Sequence, residues 1–271
     1  MSEFKQFHYH LNTEKLSRGS KGLTFVLMAD MHNHVYGPGN ELLLKAVEEQ
    51  KPDAVLVAGD MLIAHSEGSF TPALDLFRRL QERRLPVFYG NGNHEYRMRL
   101  RPKIYGTMYQ EYAKGLRDCG VVLLENQSTL FEKNGLKMRI YGFELDWRYY
   151  ERRNHIPFQA EELTKAFGVP DRDCYNILLA HNPVYFDSYA AWGADLTVSG
   201  HLHGGIIRIP GIGGVISPQA KLFPKYDAGH FKKDGKNLVV SRGLGTHTVN
   251  IRIFNPAELS VIHLHPKDGK E

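Results

Sequence analysis

The sequence predicts an α/β (α+β) chain with a β-rich tail, and three observations carry that reading. Short apolar runs alternate with amphipathic, helix-period segments through the first half. Apolar runs return beyond residue 175, and from about residue 204 the chain turns rich in glycine and short strands. The composition, 42% apolar and 24% charged over 271 residues, is that of an ordinary globular chain able to bury a sizeable core. A disordered chain is therefore not the expected reading. No linker, internal repeat or low-complexity segment interrupts it, so one domain spanning 1–271 is expected.

In chain order, residues 23–29 (LTFVLMA) read as a buried strand. Residues 41–50 (ELLLKAVEEQ) form a helix that must stop before Pro52. Residues 54–58 (AVLVA) are a second strand, and 72–83 a helix opened by Pro72 in its first turn. Residues 86–89 (PVFY) are a third strand, followed by a helix over 105–118. Strands are expected over 121–124, 138–143, 177–180 (ILLA) and 196–198 (LTV), then in the tail over 204–216, 238–241, 251–254 and 259–264. His8 and His10 alternate within FHYHL and read as part of an edge strand.

Thirty-four basic against 30 acidic residues leave a formal charge of +4, which suits an anionic substrate but gives no strong nucleic-acid signal. Cys119 and Cys174 are too few for a disulfide framework and read as unpaired thiols. The opening residues show no basic region followed by an apolar stretch, and no window approaches about 20 apolar residues. A cytoplasmic location is expected, with peripheral membrane contact open.

The functional signal is where polar residues fall. Asp30 and His32 follow the first apolar run, and Asp60 follows the second. Asn93 and His94 follow the third, His181 follows ILLA, and His201 and His203 follow LTV. Ligands gather outside the carboxyl ends of strands in α/β sheets, so five neighbouring strands would place these residues around one spot. Carboxylate, amide and imidazole donors without thiolate suit Mn, Fe, Zn or Co rather than a structural cysteine-type zinc site. So many donors suit two ions sharing a carboxylate; such a pair supplies a hydroxide nucleophile and clamps phosphate oxygens. The loops GNGNHE and SGHLHGG carry little side-chain bulk and are expected to let a phosphate approach the backbone.

Asp30-Met31-His32, Gly59-Asp60, Gly92-Asn93-His94-Glu95, His181 and Gly200-His201-Leu202-His203 together resemble the five ordered motifs of the calcineurin-like metallophosphoesterases. The tail, with His203-Gly204-Gly205, Lys225-Tyr226-Asp227-Ala228-Gly229 and Ser241-Arg242-Gly243-Leu244-Gly245, resembles a bacterial branch of membrane-associated phosphohydrolases. The resemblance implies a four-layer sandwich, two mixed β-sheets flanked by helices, with the site at one edge. It implies that one metal is held by Asp30, His32, Asp60 and His203, and a second by Asp60, Asn93, His181 and His201. It implies that His94 binds no metal but contacts the scissile phosphate and assists the leaving oxygen.

The expected function is hydrolysis of a phosphoester or pyrophosphate bond by a metal-bridging hydroxide, on a phosphorylated small-molecule or lipid-linked substrate. A metal-binding scaffold acting through protein contacts is the alternative. Glu95 reads as a supporting residue, and His230 and His247 as candidates for the mouth of the site. Specificity is expected from residues 97–103, 146–159 and 211–231, with 97–103 lining the phosphate site.

Overall fold

The structure, a computed structural model, describes residues 4–151, 156–205, 208–209, 213–214, 224–246 and 252–267. The chain runs β1 (Phe4–Thr13), β2 (Leu23–Met28), α1 (Glu41–Glu49), β3 (Ala54–Val57), α2 (Thr71–Glu82) and β4 (Val87–Gly90). It continues through α3 (Asn93–Leu100), α4 (Pro102–Tyr105), α5 (Met108–Asp118), β5 (Val122–Leu124), β6 (Gln127–Lys133) and β7 (Leu136–Phe143). Then come α6 (Ala160–Phe167), β8 (Tyr175–Ala180), α7 (Phe186–Trp192) and β9 (Leu196–Ser199). Two short strands, β10 (Arg208–Ile209) and β11 (Gly213–Gly214), precede β12 (Gly229–Lys233), β13 (Lys236–Val240) and β14 (Ala257–Pro266).

Two six-stranded sheets form, in the orders β1-β14-β2-β3-β4-β5 and β12-β13-β9-β8-β7-β6. Each is mixed. In the first, β2 to β5 run parallel, β14 lies antiparallel to β2 and β1 parallel to β14; in the second, β13-β9-β8-β7 run parallel between antiparallel β12 and β6. The parallel strands are apolar on both faces, as strands covered on both sides must be.

Phe25, Leu27 and Leu56 of the first sheet interlock with Met138, Ile177 and Val198 of the second. The outer face of the first sheet, including Val26, Val57 and Tyr89, is covered by Leu43 and Val47 of α1, Phe77 of α2 and Tyr112 of α5. The outer face of the second, including Tyr141, Leu178 and Leu238, is covered by Leu163 of α6 and Phe186 and Trp192 of α7. This is the four-layer sandwich that the motifs implied.

Some elements differ from expectation. The helix expected over 105–118 is two, α4 and α5, because Gly106 at φ 56° breaks the path. The strand expected over 204–216 reduces, among the described residues, to the short β10–β11 pair; the rest of that range that lies in 206–207, 210–212 and 215–216 falls outside them. In the range 251–254, residue 251 falls outside them, and the others form no strand beyond a single bridge at Ile253. Cys119 and Cys174 are unpaired, as expected.

Candidate metal centre

All five expected strand ends converge. Asp30 and Asp60 follow β2 and β3, which are adjacent and parallel, and Asn93 opens α3 just past β4. His181 and His201 follow β8 and β9, adjacent in the second sheet. The sheets are tied here: His181 Nδ1 lies 2.6 Å from the carbonyl of Ala58. The ring therefore carries its proton on Nδ1 and turns Nε2 inward, 3.2 Å from Asp60 Oδ2 and 3.7 Å from Asp30 Oδ1.

Among the described residues, three clusters of ligand atoms result, each with its atoms within 4.8 Å of one another. They are Asp30, His32 and His203; Asp60, His181 and His201; and His32, Asp60 and His94. Asn93 is a candidate oxygen donor beside them; its buried Oδ1 has no hydrogen-bond partner, and neither has Asp30 Oδ1. Orphaned buried acceptors are costly unless a cation meets them. Nε2 of His32 and of His203 face each other at 3.1 Å, and each also faces Asp30 Oδ1, at 3.8 and 3.4 Å. The residues present thus fit divalent metal.

The electrostatics agree. Burial raises Asp30 to about 7 in spite of His181 nearby. Burial opposes charge on His181, but the carboxylates of Asp60 and then Asp30 outweigh it and raise the ring to about 10. Burial likewise opposes charge on Asp60, yet His181, His94 and His32 hold it well below the carboxylate range. Two buried carboxylates this close demand positive charge between them.

Backbone geometry serves the same end. Asp30, His32, Asp60, His201 and His203 all have positive φ, between 48° and 72°. That conformation is uncommon outside glycine and clusters at functional sites. Gly92 and Gly200 were expected to admit phosphate to the backbone. Instead, a Cβ on Gly92 would collide with Asp60 Oδ1, and one on Gly200 with Asp30 Oδ2. In both places the carboxylate itself occupies the space, held by the amides of His94 (2.7 Å) and His201 (2.9 Å).

His94 is buried and its Nδ1 accepts from the amide of Ala64 at 2.9 Å. A nitrogen that accepts cannot hold the proton of a neutral ring, so Nε2–H points inward, 3.9 Å from Asp60 Oδ2. Arg97 reinforces this, with its guanidinium on the carbonyl of Ala64 at 3.0 Å and 3.4 Å from His94 Nδ1. Arg97 thus reaches the site, but Arg99 does not line it as expected, because Glu125 and Glu144 engage it at 3.2 and 2.8 Å. Tyr150 does reach the centre, edge-on to His201 at 5.3 Å. His230 is bonded to Asn237 instead of joining the centre, and His247 falls outside the described residues.

Sequence reasoning missed Arg252, which donates to the carbonyls of Gly243 and Gly245 and lies 3.4 Å from His203 Nδ1. No motif marks it. It also understated Glu95. This fully buried carboxylate accepts from the amides of Asp60, Met61 and Gly92, each at 3.0 Å, and from the Tyr89 hydroxyl at 2.7 Å.

Comparison with known proteins fits this geometry. The sequence profile described as calcineurin-like phosphoesterase matches residues 23–205. A Caenorhabditis elegans protein named provisionally as a metallophosphoesterase is 30% identical over 207 residues, covering 71% of this chain; the chain spans 39% of that protein's length. The phosphodiesterase YaeI of Escherichia coli is 27% identical over 243 residues, covering 88% of this chain and 81% of that protein. Among solved structures, a Staphylococcus aureus protein assigned provisionally as a 5′-nucleotidase superposes with a TM-score of 0.52 at 16% identity, over 93% of this chain and 56% of that one. With motifs, fold and profile in accord, the chain belongs to the calcineurin-like phosphoesterase family.

Proposed function

We propose that the chain is a dinuclear metal-dependent phosphohydrolase cleaving a phosphodiester, phosphomonoester or pyrophosphate bond. The observation that carries this is the pair of ligand clusters, one at Asp30, His32 and His203 and one at Asp60, His181 and His201, with Asp60 also within the cluster of His32 and His94. Asp60 is thus the candidate bridging ligand, and Asn93, whose Oδ1 is orphaned, is the candidate fourth ligand of the second set. Imidazole with carboxylate and amide oxygen suits Mn, Fe or Zn. Because both sheets supply ligands, the centre supports reading residues 1–271 as one domain.

Bound there, the two cations would supply Lewis acidity toward phosphate oxygens and an acidified water as nucleophile. The chain's own residues do the rest. His94 holds a proton on Nε2, facing the centre, and gives it to the departing oxygen. Glu95 fixes the Asp60 loop to the α3 turn, so that Asp60 and His94 keep their spacing. Tyr150 forms an aromatic wall beside His201.

The proposed substrate is a phosphorylated small molecule or a lipid-linked phosphate, acted on in the cytoplasm. Family membership supports the reaction class, and the mild positive charge suits an anion. Among the described residues, no helix is long and apolar enough to cross a membrane. Elemental analysis of tag-free protein, paired with hydrolysis of bis-p-nitrophenyl phosphate, tests the proposal. About two metals per chain with metal-dependent turnover is expected. A folded protein that binds no metal and turns nothing over after resupply with Mn²⁺, Fe²⁺ or Zn²⁺ would sink it.

A further inference from the structure

Four histidines outside the candidate centre stand together on one face of the first sheet. His8 and His10 are two apart on β1, and His263 and His265 two apart on β14, so each pair shares a face. The parallel register sets His10 directly beside His263. Nδ1 of His8 lies 2.9 Å from Nε2 of His263, and Nδ1 of His10 lies 3.1 Å from Nε2 of His265. The rings stack, His10 on His263 at 4.7 Å and His8 on His263 at 5.3 Å. The opposite face of these strands sends Leu11, Ile262 and Leu264 into the inter-sheet core. His8 and His10 are exposed, and His263 and His265 half-buried.

This ladder is remote from the candidate centre. His263 pairs with Thr24 at the amino end of β2, whereas Asp30 follows its carboxyl end. Six residues of strand separate them, about 20 Å.

We propose that the His8–His263 and His10–His265 pairs form a second, surface site for a first-row transition cation such as Zn²⁺, Cu²⁺ or Ni²⁺. Each pair supplies two imidazole nitrogens, and water completes the coordination. Tetrahedral ligands at about 2.0–2.1 Å from an ion stand roughly 3.3–3.4 Å from each other. To admit one, the two nitrogens of a pair must part by a few tenths of an ångström and their rings must turn so that both lone pairs point at the ion. Imidazole without carboxylate selects these ions over Mg²⁺ or Ca²⁺. Partial burial, then the charges that His10, His8 and His265 would carry, lower the proton affinity of His263 and keep it in the neutral form that binds metal.

The test compares the full chain, a His8→Asn/His10→Asn/His263→Asn/His265→Asn variant and Asp60→Asn. Each is equilibrated with Zn²⁺, freed of excess by gel filtration and assayed for metal. The parent is expected to retain at least one Zn²⁺ per chain more than the ladder variant. The ladder variant should keep its phosphoesterase turnover, and Asp60→Asn should keep the ladder ion. Equal Zn²⁺ in parent and ladder variant would overturn the proposal. Should the fourfold variant not fold, His8→Asn/His10→Asn, altered at exposed positions only, removes one ligand from each pair and should show the same loss of Zn²⁺. The outcome does not depend on the catalytic reading, which turnover reports separately.

Discussion

Glu95→Gln tests the scaffold beneath the centre. Oε2 of Glu95 accepts from the amides of Asp60 and Gly92, while Oε1 accepts from Met61 N–H and the Tyr89 hydroxyl. Glutamine keeps the shape but offers one oxygen and one NH₂. With its oxygen toward Asp60 and Gly92, the NH₂ opposes Met61 N–H; turned over, it opposes two amides. The better choice still leaves one buried donor without an acceptor, at a cost of about 1–3 kcal/mol. For a chain of this length each kcal/mol lowers the unfolding midpoint by about 2 °C, so a fall of roughly 2–6 °C is expected in thermal unfolding followed by circular dichroism with chelator present. Because the lost bond anchors the Asp60 loop, metal affinity should also fall, by about 10–100-fold. A variant with the parent's midpoint and the parent's metal affinity would refute the claim that these four bonds hold the loop.

The other predictions concern single groups. His94→Ala should leave metal content unchanged while turnover of bis-p-nitrophenyl phosphate drops by about 10²–10⁴, and full activity on every phosphoester tried would remove His94 from the mechanism. Gly200→Ala should drive Asp30 from its place and deplete metal in elemental analysis; retention of the parent's content would show that the strand end can yield. Asp187 is held at about 2 because, against burial, Tyr226, Lys233 and Lys225 hydrogen-bond its carboxylate. Its folded pKa lies below the ordinary 3.8, so its contribution is present above that value and lost as pH falls toward 2. The stability gap between parent and Asp187→Asn in urea titrations should therefore be steady near neutrality and close across that acid window.

Much of the centre was legible because chemistry and periodicity coincide. A short apolar run such as LTFVLMA reads as a buried strand, and an acidic Asp30 directly after it falls at the strand's end. The same logic placed Asp60, His181 and His201. What sequence could not supply is which strand neighbours which. That β1 pairs with β14 rather than β2 is decided by side-chain fit between elements far apart in the chain. Strand β6, with five of its seven residues exposed, shows no apolar run; the Asn134-Gly135 turn leading into β7, both residues at positive φ, was the available signal. Helix α3 was hidden because its face toward the centre is built of His94 and Glu95, so its helical period is not an apolar one. Arg252 was invisible for a different reason. Among the described residues it bonds backbone carbonyls and reaches His203, and no spacing encodes such contacts.

The slot between β1 and β2 has a consequence for how the chain is made. It is filled by β14, which leaves the ribosome after every other described strand, and His8 and His263 meet although they stand 255 positions apart in the chain. Until residues 257–266 emerge, β1 has no described strand to pair with and the nascent sheet ends in an unsatisfied edge on β2, a template for pairing with another chain. Contacts of such sequence separation form slowly. The window for chaperones that shield strand edges therefore lasts until residues 257–266 have emerged, and it closes only when β14 joins β1 to β2.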